Sequence, residues 1–124
     1  MAIDTGLVAW VEEAMAPLGN VTMRKMMGSA TLYLDGTIFA IVADDALWFK
    51  ADATSDADWD VVGAARFTYQ MGEGREGSMN YRRAPDDVYD DADAMREWAM
   101  LGVAAGQRGP VRKAGKKRQG TTPS

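Results

Sequence analysis

The sequence predicts an α+β fold of two layers, in which helices pack on one mainly antiparallel sheet. Residues 23–50 are rich in β-branched and aromatic side chains and are interrupted by short turn motifs, which is typical of consecutive antiparallel strands. Residues 4–18 and 91–107 instead carry apolar side chains at helical spacing. The chain has 124 residues, of which 47% are hydrophobic, so it is long enough for one domain with a substantial core.

The first predicted element is an amphipathic helix at residues 4–18. The side-chain oxygen of Asp4 or Thr5 can cap this helix by accepting a hydrogen bond from a free backbone N–H group. Pro17 and Gly19 are residues that close a helix. The apolar residues expected to face the core are Leu7, Trp10, Val11, Ala14, Met15 and Leu18.

The sheet is predicted to begin with a strand at residues 21–27, which Gly28 and Ser29 end. Further strands are expected at residues 32–34, 38–42 and 47–49. Asp35 and Gly36 predict a tight hairpin between two of these strands, because a type I′ turn requires positive φ at both of its central residues. The pair Asp44-Asp45 marks a second, weaker turn.

Four aromatic residues in these strands have the spacing of a platform on which nucleic-acid bases stack. Such a platform needs interleaved Arg and Lys side chains, whereas Asp35, Asp44 and Asp45 interleave here. We therefore interpret the four aromatic residues as core. They are Tyr33, Phe39, Trp48 and Phe49.

A short helix is predicted after residue 54, capped by Thr54, Ser55 or Asp56, carrying Trp59 and Val62, and ended by Gly63. The spacing of Asp56, Asp58 and Asp60 imitates the start of a calcium-binding loop. The sixth position of such a loop must be Gly and the twelfth a bidentate Glu, but this chain has Val61 and Phe67 there. We therefore interpret the three acids as cap and first-turn residues.

Residues 67–70 and 78–81 alternate like half-buried strands, and the glycines between them predict a hairpin with a longer loop at 72–77. This loop has no Gly-Lys-Ser/Thr ending, so it is not a phosphate-binding loop. Pro85 ends the second strand and, with Asp86 and Asp87, opens a short turn of helix.

The last predicted helix spans roughly residues 91–107, with Asp90 or Asp91 as its cap. Gly102 and Gly106 weaken a helix, so we expect them where the helix packs closely on the sheet or on a second subunit. Acids near the start of a helix are favoured by its dipole, so we do not interpret those at positions 86, 87, 90, 91 and 93 as a metal site. The expected apolar stripe is Met95, Trp98, Ala99, Gly102 and Val103.

The composition excludes several classes of function. The chain has no Cys and no His, which removes disulfides, thiolate metal sites, Ser-His-Asp triads and the commonest general base. No apolar run approaches the ~20 residues that span a bilayer, and the first residues are not those of a secretory signal. We expect a cytoplasmic protein that is not an enzyme, with no catalytic residue, cofactor or metal. Adjacent carboxylates such as Asp44 and Asp45 are a weak alternative, because in a tight turn they point apart.

Charge is unevenly distributed, with an excess of basic residues at the end of the chain. The last 17 residues hold six of the 14 basic residues and none of the 18 acidic ones. We expect a domain at residues 1–107 and a basic, disordered tail at 108–124. The tail either binds nucleic acid weakly through its charge or only promotes solubility. Its basic residues are Arg108, Arg112, Lys113, Lys116, Lys117 and Arg118.

Several short motifs also occur in an order that is typical of one known family. The sequence reads RKMMG at 24–28, LYLDG at 32–36, FAIV at 39–42 and LWFK at 47–50. It then reads FTY at 67–69, MNYR at 79–82 before Pro85 and Val88, and EWA at 97–99. Over roughly residues 22–105, this ordered series resembles the TfoX/Sxy N-terminal domain family.

The resemblance implies the order helix, three antiparallel strands, helix, two strands and a C-terminal helix packed on the sheet. It also implies a non-enzymatic regulatory domain. Full-length members regulate natural competence, the uptake of DNA, and are thought to act with a cyclic-AMP-responsive transcription factor at promoters. Those members carry a second, helical C-terminal domain, and here we expect only the basic tail in its place. The family offers no catalytic residue to transfer.

We therefore expect a protein partner, such as a transcription factor, or a second copy in a homodimer. The predicted partner surface lies in the first strand, where basic side chains and methionines stand together, because Met adapts to varied partners. The alternative is that the two methionines belong to the core and that Arg24 pairs with an acid. The residues of the predicted partner surface are Arg24, Lys25, Met26 and Met27.

Overall fold

A computed structural model describes residues 5–26, 29–43, 45–72 and 74–108 of the chain. It contains three α-helices and six β-strands within these ranges, with a 3₁₀ turn at Asp86–Tyr89. The helices are α1 (Thr5–Met15), α2 (Asp56–Val61) and α3 (Ala92–Arg108). The strands are β1 (Val21–Met26), β2 (Ser29–Leu34), β3 (Thr37–Ala43), β4 (Ala46–Lys50), β5 (Arg66–Gly72) and β6 (Arg75–Arg83).

The described strands form one antiparallel sheet in the order β1-β2-β3-β4-β6-β5. This confirms the predicted α+β class and the helix at the end of the domain. Four strands precede α2, one more than the resemblance implies. The additional strand is β1, which pairs with β2 at residues 21–26. β1 and β5 are the two edges of the sheet.

Local chemistry sets the turns between the strands. Asp35 and Gly36 have φ of 49° and 87°, so both have the positive φ that the predicted turn requires. Asp35 also ties this turn to the residue before β1, because its Oδ1 accepts a hydrogen bond from the backbone N–H of Asn20 at 3.0 Å. Asp45 has φ of 59° in the second predicted turn, and Asp44 lies outside the described residues.

The hairpin of β5 and β6 differs from the prediction. The strands extend to Gly72 and Arg75, which pair directly, so a two-residue turn replaces the longer loop expected at 72–77. Gly74 has φ of 74° in this turn. The loop is shorter than predicted because Gly72 and Gly77 pair within the two strands and do not end them.

Most of the apolar residues predicted to face the core from α1 are buried. Helix α1 ends at Met15, three residues before the predicted end, so Leu18 stays 42% exposed and its assignment to the core was wrong. Trp10 is half-buried, and its indole N–H donates a hydrogen bond to the carbonyl of Val88 at 2.8 Å. The predicted cap Asp4 lies outside the described residues. Buried residues of α1 are Leu7, Val8, Val11, Ala14 and Met15.

α3 packs directly on β3. Its predicted cap fixes where the helix begins, and its two predicted glycines let it approach the strand closely. Asp91 caps the helix, because its Oδ1 accepts hydrogen bonds from the backbone N–H groups of Asp93 at 2.9 Å and Ala94 at 3.2 Å. A Cβ atom at Gly102 would lie 2.5 Å from the carbonyl oxygen of Phe39, and one at Gly106 would lie 1.9 Å from that of Ile38. The close packing predicted for the two glycines is therefore against the sheet.

Of the four aromatic residues in the first strands, Phe39 and Phe49 are fully buried in the main core, on the helix side of the sheet, as predicted. Trp59 of α2 is also fully buried, with its ring 5.8 Å from that of Phe49 and 5.0 Å from that of Trp98. Trp48 belongs to a second, smaller cluster on the other side of the sheet, where Phe67 meets it edge-on at 5.0 Å.

Candidate protein-interaction surface

The predicted partner surface begins on β1, at one edge of the sheet. Residues 22–25 are all exposed, and Met23 is 36% exposed. No described strand pairs with the outer side of β1. Part of the backbone N–H and C=O groups of an edge strand point away from the sheet and can pair with another extended chain. β1 therefore offers both side chains and backbone groups to a partner.

The register of β1 places its two basic residues on opposite faces. Arg24 lies opposite Thr31, and Lys25 lies opposite Ala30, which is buried in the main core on the helix side. Because successive side chains of a strand alternate, Lys25 and Met23 lie on the helix side and Arg24 on the other. The edge is therefore basic on both faces. Met26 ends β1, but neither its side chain nor Met27 is among the described parts of the chain.

Only one basic residue of the predicted tail is described. Arg108 is the last residue of α3, and its Nε and Nη2 donate hydrogen bonds to the two carboxylate oxygens of Asp52 at 2.5 and 2.8 Å. Hydrogen bonds from Arg108 lower the pKa of Asp52 from 3.8 to about 2. Arg108 is thus held by a carboxylate of the domain. The other five predicted nucleic-acid contacts lie outside the described residues.

Arg82 is a buried cation that the sequence reasoning missed. It is 4% exposed and donates hydrogen bonds to Asp60 Oδ1 at 2.9 Å, Asp56 Oδ1 at 3.3 Å and the carbonyl of Ala64 at 3.0 Å. The two acids are therefore more than first-turn residues, because they join α2 to β6. Their spacing of four residues was the available clue, since it places both on one side of a helix.

Cations also cover the aromatic residues on the face of the sheet opposite the main core. The Nζ of Lys50 lies 5.3 Å from the ring centre of Tyr81, and the guanidinium of Arg83 lies 5.6 Å from that of Trp48. Burial, and secondly the nearby Tyr33, raises the pKa of Tyr81 to about 12. Trp48 and Tyr81 are 8% and 5% exposed. Both rings are therefore buried and covered by a cation, which agrees with the prediction that Trp48 is not a base-stacking residue.

A groove lies between α2 and α3 on the outer surface. It has a volume of about 380 Å³, and the exposed residues Asp58 and Glu97 are among those that line it. Val61 is 85% exposed and Val62 is 47% exposed, although both are apolar. The apolar residues that line this groove are Val61, Val62, Trp98 and Leu101.

The charged groups of the described residues do not converge as in a metal centre. Across residues 5–26, 29–43, 45–72 and 74–108, no three carboxylates lie together as ligands for a metal ion. Within the same ranges, no helix is both long and apolar enough to cross a membrane. The features that stand out in this part of the chain are two surfaces, the edge strand β1 and the groove between α2 and α3.

Two comparisons with known proteins agree on the family. The model of the TfoX N-terminal domain matches residues 13–106, which include every described strand. Protein Sxy of Escherichia coli (strain K12) is 31% identical over 78 residues, which cover 63% of this chain and 37% of that protein. The chain thus matches little more than a third of the length of this curated relative. With most of its length matched by the family model, the chain belongs to the TfoX N-terminal domain family.

Proposed function

We propose that this chain is a non-enzymatic regulatory domain of the bacterial cytoplasm that acts by binding a protein partner in a competence-related role. Family membership and the similarity to Protein Sxy support the regulatory role. The absence of His and Cys from the sequence supports a function without catalysis, because the commonest general base and the thiol nucleophile are missing. The match covers 37% of Sxy, so the proposal uses the similarity to that part of Sxy alone.

The observation that carries the proposed contact is the exposure of β1 on both faces. Residues 22–25 add little to the core, yet they form a regular strand at the edge of the sheet. An extended segment of a partner that pairs with such an edge gains backbone hydrogen bonds along its length, while its alternate side chains give specificity. β1 is therefore the surface that we assign to the partner.

The charge of β1 indicates the chemistry of that partner. Arg24 and Lys25 point to opposite faces, so a paired strand meets a cation on either side. Opposite charges on facing strands stabilise pairing and like charges destabilise it. The expected partner segment is extended, carries acidic side chains on both faces, and has an apolar residue near Met23.

The same argument disfavours a homodimer through this edge. Pairing of β1 with β1 of a second copy would bring Arg24 and Lys25 of both copies close together, and like charges on facing strands are destabilising. A different, acidic protein therefore fits the edge better than a second copy. Size-exclusion chromatography with light scattering on the full chain tests this expectation, which predicts a monomer.

Capture from native cells tests the proposed contact. The full chain is used as bait beside R24E/K25E, and bound proteins are quantified by mass spectrometry. K116E/K117E is the matched control, because it makes the same change in net charge in a different part of the chain. We expect one or more proteins that bind the original chain and the control but are at least tenfold depleted with R24E/K25E.

Equal capture by R24E/K25E and by the original chain would contradict the contact on β1 while leaving the regulatory role open. Equal loss with both double variants would show that only overall charge matters. A fall in capture with the control alone, together with a DNA shift that disappears in the same variant, would support the alternative function of nucleic-acid binding through the tail.

A further inference from the structure

The groove between α2 and α3 brings several apolar side chains together at the surface. Val61 and Val62 are 85% and 47% exposed, and the half-buried residues Trp98 and Leu101 line the groove with them. Single exposed apolar residues are normal on a protein surface. Several neighbouring ones in one concave site are instead typical of a place where a partner binds.

The acidic residues of the groove are available to such a partner. Asp58 and Glu97 are exposed, and neither takes part in an ion pair among the described residues. The described residues that line the groove include no cation. Opposite charges across an interface steer association, and like charges suppress the wrong partner. The groove therefore favours a segment that carries Lys or Arg beside apolar side chains, and it disfavours an acidic one.

The walls of the groove indicate that this segment is a helix. Both walls are built on helices, α2 and α3, so side chains rather than free backbone groups face the groove. An extended segment would bring its own N–H and C=O groups to a surface of side chains, and burying them unpaired is costly. A helix pairs these groups internally. The groove thus differs from the edge strand β1, which fits an extended segment.

The length of the groove fits about one turn of a partner helix. The lining residues run from Asp58 to Val62 on one wall and from Glu97 to Leu101 on the other. Each stretch advances four residues, which is about 6 Å along a helix. Side chains three or four residues apart on a partner helix are separated by a similar distance, about 5–6 Å. Two apolar side chains at this spacing therefore fit the groove.

We propose that this groove is a second docking site, which binds an amphipathic helix of another protein. The helix carries two apolar side chains three or four residues apart, which pack on Val61, Val62 and Leu101, and cations beside them that meet Asp58 and Glu97. The site is independent of β1 and selects the opposite charge, since β1 fits an acidic segment. One copy of the chain can then hold two different proteins at once, as an adaptor does.

A selection from random helices tests the chemistry of this site. A display library of helical peptides, built on an Ala and Gln framework and randomised along one face, is selected on the full chain at physiological salt. We expect the enriched peptides to share the apolar pair and the neighbouring Lys or Arg residues. They should shift the methyl resonances of Val61, Val62 and Leu101, and leave those of Ile41, in the cluster on the other side of the sheet, unchanged.

Charge variants test the role of the two acids with an enriched peptide. D58N/E97Q should weaken binding about tenfold. The matched control E12Q/E13Q removes two exposed carboxylates from α1 and should weaken binding less than about twofold. A peptide whose Lys and Arg residues are replaced by Gln lacks the charge contact, so D58N/E97Q should not weaken its binding further. The changed residues are exposed, so the variants keep the fold, which the unchanged amide spectrum of the sheet verifies.

The apolar contact is tested by V61S. This substitution should weaken binding of the same peptide several-fold, because it removes apolar area that the peptide covers. L18S is the matched control, since Leu18 is also an exposed apolar residue but does not line the groove. Binding of the peptide to L18S should equal its binding to the original chain.

Three results would overturn the proposal. The first is a selection that yields no peptide binding at the groove, or yields acidic peptides there. The second is equal weakening by D58N/E97Q and E12Q/E13Q, because overall charge would then suffice. The third is a shift of the groove methyl resonances, without peptide, on dilution or in R112E/K113E. A second copy or the basic end of the same chain would then be the occupant.

Discussion

On the β6 side of the sheet, Arg82 is 4% exposed, and its guanidinium is bonded to two carboxylates and a carbonyl oxygen. On the β1 side, Arg24 and Lys25 are exposed, and no ion pair holds them within the described part of the chain. Arg82 joins α2 to the sheet, whereas no ion pair among the described residues connects Arg24 or Lys25 to another element.

The difference separates charges that hold the fold from charges that remain available for binding. A buried cation that loses its carboxylate partners keeps its desolvation cost without compensation. The same holds for buried carboxylates that lose their cation. Changing an exposed charge on an edge strand alters the free energy of unfolding little, because water solvates the charge in both the folded and the unfolded state. Substitutions at β6 and α2 should therefore change stability, and substitutions at β1 should change binding alone.

The largest effect on stability is expected from Trp59, which anchors α2 between Phe49 and Trp98. W59A should lower the free energy of unfolding by roughly 3–5 kcal/mol, because it removes a fully buried indole and leaves a cavity. Urea denaturation measures the change. The control V62A alters a neighbouring residue that is 47% exposed and should change stability by at most about 0.5 kcal/mol.

A smaller loss is expected from R82Q. Substitution removes the cation that pairs with Asp56 and Asp60, and hydrogen bonds to charged groups contribute about 2 kcal/mol. The side chain of Asp60 is 67% exposed, so the loss stays below that of a fully buried pair. The matched control is R24Q, since Arg24 is exposed on β1 and has no ion pair among the described residues. Equal stability of R82Q and R24Q in urea denaturation would remove the distinction drawn here.

The pair of Asp52 and Arg108 should give a pH-dependent effect. The folded-state pKa of Asp52 is about 2, below its ordinary value of 3.8, so the ionised form is favoured by folding. The stabilisation is therefore complete above about pH 4 and disappears as pH falls through 2. D52N should be slightly less stable than the original chain at pH 6, and the difference should shrink in this acid range. Thermal denaturation curves measure the difference, and E12Q is the control, because it removes one carboxylate from an exposed position of α1.

The smallest effect on stability is expected at the edge. R24E/K25E should change the free energy of unfolding by no more than about 0.5 kcal/mol, because both side chains are exposed. Urea denaturation of this double variant beside R82Q compares the two regions directly. A loss at R24E/K25E as large as that at R82Q would mean that the edge is part of the folding core.

Several features were predictable because they depend on neighbouring residues. The turn at Asp35 and Gly36, the cap at Asp91 and the packing role of Gly102 and Gly106 follow from backbone requirements that the sequence itself displays. The end of α1 was predicted too late. Leu18 was placed in the core because its spacing continues the helix, but α1 ends at Met15.

Arg82 shows why part of the site could not be predicted. Its partners Asp56 and Asp60 lie more than 20 residues earlier, and the groups come together through the pairing of β6 with β4 and β5. Arg24 and Lys25 were selected from local composition, but their position at the edge depends on the order of six strands. The groove was not predicted either, because it forms between α2 and α3, which are 30 residues apart in the sequence.

The most direct test of the account is amide hydrogen exchange of the full chain, alone and with the partner captured from native cells. We predict that the amides of β1 gain protection on binding, while those of β6 and α2 exchange at unchanged rates, because only β1 receives a new strand. Protection that appears on α2 and α3, with β1 unchanged, would contradict the assignment of β1 as the partner surface.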